Sequence, residues 1–162
     1  MELKFLGEPC LTTVSEPVSE VDEQLRAFIS GMFRVMRGAG GVGLAAPQVG
    51  RTVRVFVVDV EHHVRAFINP QITAASEEQS SYEEGCLSIP HIYERVLRPR
   101  RVSVQYLDEN GKRCAVDADG ILARVIQHEY DHLDGILFLD RIDEKRRDDA
   151  LRRYAALRGT IR

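Results

Sequence analysis

The chain has 162 residues, 44% of them hydrophobic and 29% charged, with a formal net charge of -3. That length suits one globular domain over 1–162 with a sizeable core, and the near-balanced charge gives no electrostatic case for DNA binding. There is no run of 18 apolar residues, MELKFLGEPC lacks the apolar core of a signal peptide, and three scattered cysteines make no disulfide framework; the expectation is a cytoplasmic protein without a membrane contact.

In chain order, the first predicted element is a helix from about Asp22 to Arg37. Leu25, Phe28, Ile29, Met32, Phe33 and Met36 recur at spacings of three and four and form one apolar stripe. Ser19 is the expected N-terminal cap. GAGGVGLAAPQVG follows, with glycines at 38, 40, 41, 43 and 50, too many for a helix or a simple strand. VRVFVVDV (53–60) is rich in β-branched residues and reads as a strand; RAFINP (65–70) reads as a shorter one. RVSVQYLDENGKRCAVDAD has the pattern of a hairpin turning at Asn110-Gly111. ADGILARVIQHEYDHLDG reads as a helix that Gly135 ends, and a last helix is expected from about Asp143 to Leu157, acidic at its start and basic near its end. The order helix, antiparallel strands, helix, helix points to an α+β domain rather than an alternating βαβ one.

On a helical wheel of 100° per residue, Ile121, Leu122, Val125, Ile126 and Leu133 share one arc. His128 and His132 fall at its edge, and Glu129 lies inside it. Ala123, Arg124, Gln127, Tyr130 and Asp131 are expected to face away. A carboxylate on the buried arc costs free energy unless it is paired. A divalent cation resolves the conflict: imidazoles at i and i+4 can share one ion, and a Glu at i+1 stands close enough to take a proton from a bound water. The ordinary alternative is a core histidine or a surface pair, but it leaves Glu129 on the wrong face. His62 and His63, in a charged turn, read as surface; His91 is left undecided.

The third ligand is not settled by spacing. LDGILFLDRIDEKRRDD, downstream of His132, offers acids but no histidine. Upstream, Cys86 sits in EEGCLSIP between a glycine and an apolar residue, and a thiolate suits a borderline divalent metal. Cys114, in KRCAVD, and Cys10, in an N-terminal loop, remain competitors.

Three segments in order, GVGLAAPQ (41–48), EGCLS (84–88) and QHEYDH (127–132), resemble the three motifs of the peptide deformylases, G-x-G-L-A-A-x-Q, E-G-C-L-S and H-E-x-D-H. The resemblance implies antiparallel sheets around a central metal-binding helix. It implies Cys86, His128 and His132 as ligands of one divalent ion, with water in the fourth position. It also implies Glu129 as general base and then acid, and the Gln48 amide and the Leu87 backbone N–H as oxyanion donors. Its metal would be ferrous iron in the cell, with zinc, nickel or cobalt accommodated in purified protein. Its substrate would be the N-formyl-methionyl end of a nascent polypeptide, which leaves room for ribosome contact, and the product formate. Gly41 and Gly43 would let an extended peptide approach the backbone, and Val42, Ile121, Val125 and the edge of His128 would wall the pocket for the methionine side chain. Two positions depart from the pattern. Arg124 stands where some relatives carry an aliphatic residue, and Tyr93 stands where some carry an arginine, with Arg95 two residues on; no role is assigned to Tyr93 or Arg95. Two rival readings remain: a general zinc peptidase, which needs a third ligand downstream of His132, and a non-catalytic metal domain or peptide binder, which needs no base. A phosphate loop at 38–50 is disfavoured, because neither G-K-[ST] nor G-x-G-x-x-G is present.

Overall fold

The computed structural model describes residues 1–161. The elements are α1 (Glu23–Gly38), β1 (Gly43–Ala45), β2 (Val55–Val60), β3 (His63–Ala75), β4 (Gln79–Cys86), β5 (Ile89–Pro99), β6 (Arg101–Leu107), β7 (Arg113–Asp119), α2 (Gly120–Leu133) and α3 (Glu144–Ile161), with 3₁₀ turns at Pro9–Thr12, Ala46–Val49 and Phe138–Arg141. The α+β class is as expected. One sheet has five strands in the order β1-β2-β3-β6-β7, and β4 and β5 pair separately as a hairpin. All these pairings are antiparallel.

Alternation along β2 explains why 53–60 reads as an almost unbroken apolar run. Phe56 and Val58 pack on one side with Phe67, Val104 and the α2 residues Leu122 and Ile126. Val55 and Val57 pack on the other side with Leu25, Ile29, Met32 and Met36 of α1. A strand with core on both faces has no polar alternation to show. A third core lies under β5, where Ile89, Ile92 and Val96 meet Leu137, Phe138 and Tyr154. Helix α2 therefore has the five-stranded sheet on one side and the hairpin on the other.

That placement corrects the wheel. Ala123, Arg124, Gln127 and Asp131, expected to face outward, are all buried. Ala123 packs into the core on the sheet side, and the physical reason for Arg124, Gln127 and Asp131 is the hairpin, a second neighbour that no apolar stripe announces because its contact with α2 is polar and ionic. Other differences are local. The cap of α1 is Asp22, whose carboxylate accepts from the Leu25 N–H at 2.8 Å, not Ser19. The strand at 65–70 runs from His63 to Ala75, because β6 pairs with its second half across a bulge. The β6–β7 connection spans 108–112, with Asp108 Oδ1 accepting from the Asn110 and Lys112 N–H groups. α2 ends as expected: Gly135, at φ 71, donates to His132 O, and Ile136 donates to Asp131 O, which satisfies the last carbonyls. Among the described residues no helix is long and apolar enough to cross a membrane.

Candidate metal centre and cleft

Two elements meet to form the site. α2 carries His128, Glu129 and His132, one helical turn apart along one side. β4 ends in Cys86, and the two-residue turn Leu87-Ser88 leads into β5. Among the described residues, one ligand atom each from Cys86, His128 and His132 lie within 4.8 Å of one another. Cys86 Sγ is 3.4 Å from His132 Nε2. Cys114, the competing thiol, is instead on β7 beside Asp108. Downstream of His132, Asp134 pairs with Arg54, and Asp140 accepts from the Leu137 N–H, so both acids are engaged elsewhere.

The electrostatics of the cluster favour positive charge on one imidazole and oppose it on the other. Burial alone would lower the pKa of His128, but hydrogen bonds with Cys86 and Glu84 outweigh it and raise it well above the usual imidazole value. His132 is driven the other way, by burial and by the charge on His128. A divalent cation between the three donors would supply that charge without a proton. His128 Nδ1 is 2.8 Å from Glu84 Oε1. Burial would raise the pKa of Glu84, but bonds from His128 and Arg98 hold it well below the carboxylate range. Glu84 is thus an acceptor, Nδ1 carries the proton, and Nε2 is left for a metal, the arrangement common around metal-binding imidazoles. Two further buried atoms at the site, Glu129 Oε1 and His132 Nδ1, have no hydrogen-bond partner among the described residues. The donor set, its charge preference and the orphaned carboxylate oxygen fit a divalent metal.

The remaining predicted residues border one cleft of ≈ 470 Å³. Gly41, Val42, Gly43, Gln48, Leu87, Ile121, Val125, His128 and Glu129 all line it, as does Cys86. The Gln48 amide has a fixed sense: Oε1 accepts from the Ala45 N–H at 2.9 Å, which turns Nε2 toward Ser88 Oγ at 3.1 Å and Cys86 Sγ at 3.4 Å. Gly43 cannot bear a side chain, because a Cβ there would collide with Glu129 Oε2 and stand 2.9 Å from Val125. A Cβ on Gly41 would stand 2.7 Å from Leu87. These glycines let the edge strand β1 and the segment before it lie directly over Glu129 and the hairpin turn, whichever ligand enters. On protein groups alone, burial pushes the Glu129 carboxyl up to about 7, only partly opposed by the charge on His128.

Arg124, the departure noted in the sequence, lines the cleft, but its guanidinium is turned into the hairpin. Tyr93 lines the cleft and covers Gly85, while Arg95 is tied to Ser81 O at 3.0 Å and does not reach it. His91, undecided from sequence, is exposed at the cleft rim with a positive φ of 67. His62 is exposed, His63 partly so, and neither borders the cleft. The sequence reading missed the ionic layer behind the Cys86–His128–His132 cluster. Glu84 takes Arg98 at 2.7 Å and Arg124 at 2.7 Å, and Asp131 takes Arg98 at 2.8 Å and Arg141 at 2.7 Å. One signal was available for Glu84: it stands two residues before Cys86, and strand positions i and i+2 share a face.

Comparison with known proteins is consistent along nearly the whole chain. Residues 1–148 match the family model described as polypeptide deformylase. The chain is 46% identical over 160 residues to a peptide deformylase of Brucella suis, covering 96% of this chain and 91% of that one. The crystal structure of a Synechococcus elongatus peptide deformylase in complex with actinonin has a TM-score of 0.91 at 42% identity, over 95% of this chain and 87% of that one. A Legionella pneumophila peptide deformylase structure gives 0.93 at 36% identity, over 98% and 95%.

Proposed function

The chain belongs to the polypeptide deformylase family, and from that premise we propose that it hydrolyses N-formyl-methionyl polypeptides through a metal ion held by Cys86, His128 and His132, with Glu129 as the proton carrier. Removal of the formyl group from new polypeptides is the family's reaction; the residue roles are this reading's own. The observation that carries them is the convergence of three soft and borderline donors within 4.8 Å, two of which, Cys86 and His128, line a cleft whose wall also holds a buried carboxylate with an unpartnered oxygen.

Cys86, His128 and His132 would hold the cation, which would supply Lewis-acid activation of the formyl carbonyl and of the attacking water. Glu129 takes the proton from the attacking water and returns it to the departing amine nitrogen as the formyl C–N bond breaks, so that formate and a free N-terminus leave. The buried position of its carboxyl, with a pKa near neutrality, matches a group that must both accept and give. Gln48 Nε2, held in place by the Ala45–Gln48 hydrogen bond, donates to the developing oxyanion, and the Leu87 N–H is the second donor. The unpaired edge of β1 accepts the peptide backbone of the substrate as an added strand, and Val42, Ile121 and Val125 receive the methionine side chain. Ferrous iron is the metal of this reading in the cytoplasm, with zinc, nickel or cobalt in purified protein. A ferrous site with a thiolate ligand is expected to lose activity in air, and a nickel or cobalt form to be more durable. The test is formate release from a formyl-Met peptide by anaerobically prepared protein with metal analysis. Equal, air-stable turnover by iron and zinc forms would overturn the metal assignment. Cleavage of internal peptide bonds without formate release would favour the peptidase reading.

A further inference from the structure

Glu84 is 5% exposed and accepts at both oxygens from two successive turns of α2. Oε1 takes His128 Nδ1 at 2.8 Å, and Oε2 takes Arg124 Nη1 at 2.7 Å. Arg124 and His128 are i and i+4 on the helix, so one carboxylate from β4 spans one full helical turn. Arg98, from β5, grips the same carboxylate with a fork, Nε at 2.7 Å and Nη2 at 3.0 Å. Arg98 is shared, however: its Nη1 serves Asp131 at 2.8 Å. Among the described residues Arg124 serves no second carboxylate. Its remaining bonds run to Val96 O at 2.7 Å, Ser80 O at 2.8 Å and Ser80 Oγ at 3.0 Å, all on the hairpin.

The consequence is geometric. β4 carries both Glu84 and Cys86, and α2 carries both histidines. Resting on the metal reading above, we propose that Arg124 is a positioning residue, which fixes the distance between the thiolate-bearing strand and the histidine-bearing helix and, through Glu84, the orientation of the His128 ring. It touches neither the metal nor the reacting atoms. Its aliphatic stem lines the substrate cleft while its guanidinium is committed to the hairpin, so a position read as part of the side-chain pocket has a second task. An aliphatic residue there could wall the cleft but could not hold Glu84.

Arg124→Met keeps the stem and removes the donors. Metal affinity is measured by chelator competition on the cobalt-loaded protein, whose visible spectrum reports the ligand geometry. Arg124→Met is expected to bind cobalt about 10–100-fold more weakly, the usual effect of losing a partner behind a ligating histidine. Its cobalt spectrum should shift, and kcat should fall with KM for a formyl-Met peptide changed less than about twofold, since the interaction lost acts on the metal and not on substrate binding. Arg124→Lys, which can still reach Glu84, should recover part of the affinity and spectrum. Ser80→Ala, which removes one hairpin bond of Arg124 and leaves Glu84 alone, should keep both. Wild-type affinity and spectrum in Arg124→Met would overturn the proposal, as would an equal loss in Ser80→Ala. If Arg124→Met does not fold, Arg124→Lys decides: the proposal requires an affinity between wild-type and that of Glu84→Gln, and wild-type affinity overturns it. Wild-type protein that binds no cobalt would instead break the metal reading itself.

Discussion

The two long sides of α2 are built on opposite chemistry. Toward the five-stranded sheet it presents Leu122, Val125, Ile126 and Leu133, which are packed among Phe56, Phe67 and Val104. Toward the β4–β5 hairpin it presents Arg124, His128 and Asp131, each paired with a charged partner. The apolar side gains free energy in proportion to the area removed from water. The ionic side gains little net, because desolvating each charge offsets most of its attraction. What it adds is direction: hydrogen bonds to carboxylates fix angles that methyl contacts leave free. Stability thus resides mainly on one side of the helix and site geometry on the other.

The largest effect that could break this division is at the ligands. Cys86→Ala should abolish tight metal binding, while Cys10→Ala and Cys114→Ala should leave one ion per chain; full metal occupancy in Cys86→Ala, measured by elemental analysis, would remove the thiolate from the site. Next is Arg98, which serves two buried carboxylates. Arg98→Met should destabilise the fold by about 3–5 kcal/mol in denaturant unfolding, because Glu84 and Asp131 each lose a buried cationic partner and keep only Arg124 with His128 and Arg141, respectively. Metal affinity should fall with it. Ile126→Ala, on the apolar side, should cost a comparable ~2–5 kcal/mol yet leave metal affinity unchanged. If Ile126→Ala weakens metal binding as much as Arg98→Met does, the two sides are not separable. Gln48→Leu should spare fold and metal but lower kcat by about 10²–10³ through loss of an oxyanion donor, read as formate release at matched metal content. Smallest, Asp22→Ala should cost about 1 kcal/mol by uncapping α1, with no effect on activity.

The apolar side was legible in the sequence and the ionic side was not, for the same reason. Hydrophobic periodicity reports where a helix meets a core, so the stripes of α1 and α2, the strand at 53–60 and the 101–119 hairpin could all be placed. Arg124 and Asp131 carry no such signal: a charged residue off the stripe looks solvated until its partner is known, and their hairpin partners lie 33 to 40 positions away. The β4–β5 hairpin escaped notice because strand β4, QSSYEEGC, is mostly polar. The site itself was legible where chemistry is local. QHEYDH placed two imidazoles and a carboxylate on one side of a helix, whereas Cys86 was one of three open choices until the motifs were taken together.

In the proposed reaction Glu129 moves the proton without holding the metal. The most direct measurement is formate release by Glu129→Gln at metal content matched to the wild type. The amide is nearly isosteric, so the account predicts full metal loading, an unchanged fold and a kcat lower by about 10²–10⁴-fold or more. Near-wild-type turnover by the fully metallated variant would mean that the carboxylate is not the base, and a variant that no longer binds metal would mean that it had been a ligand all along.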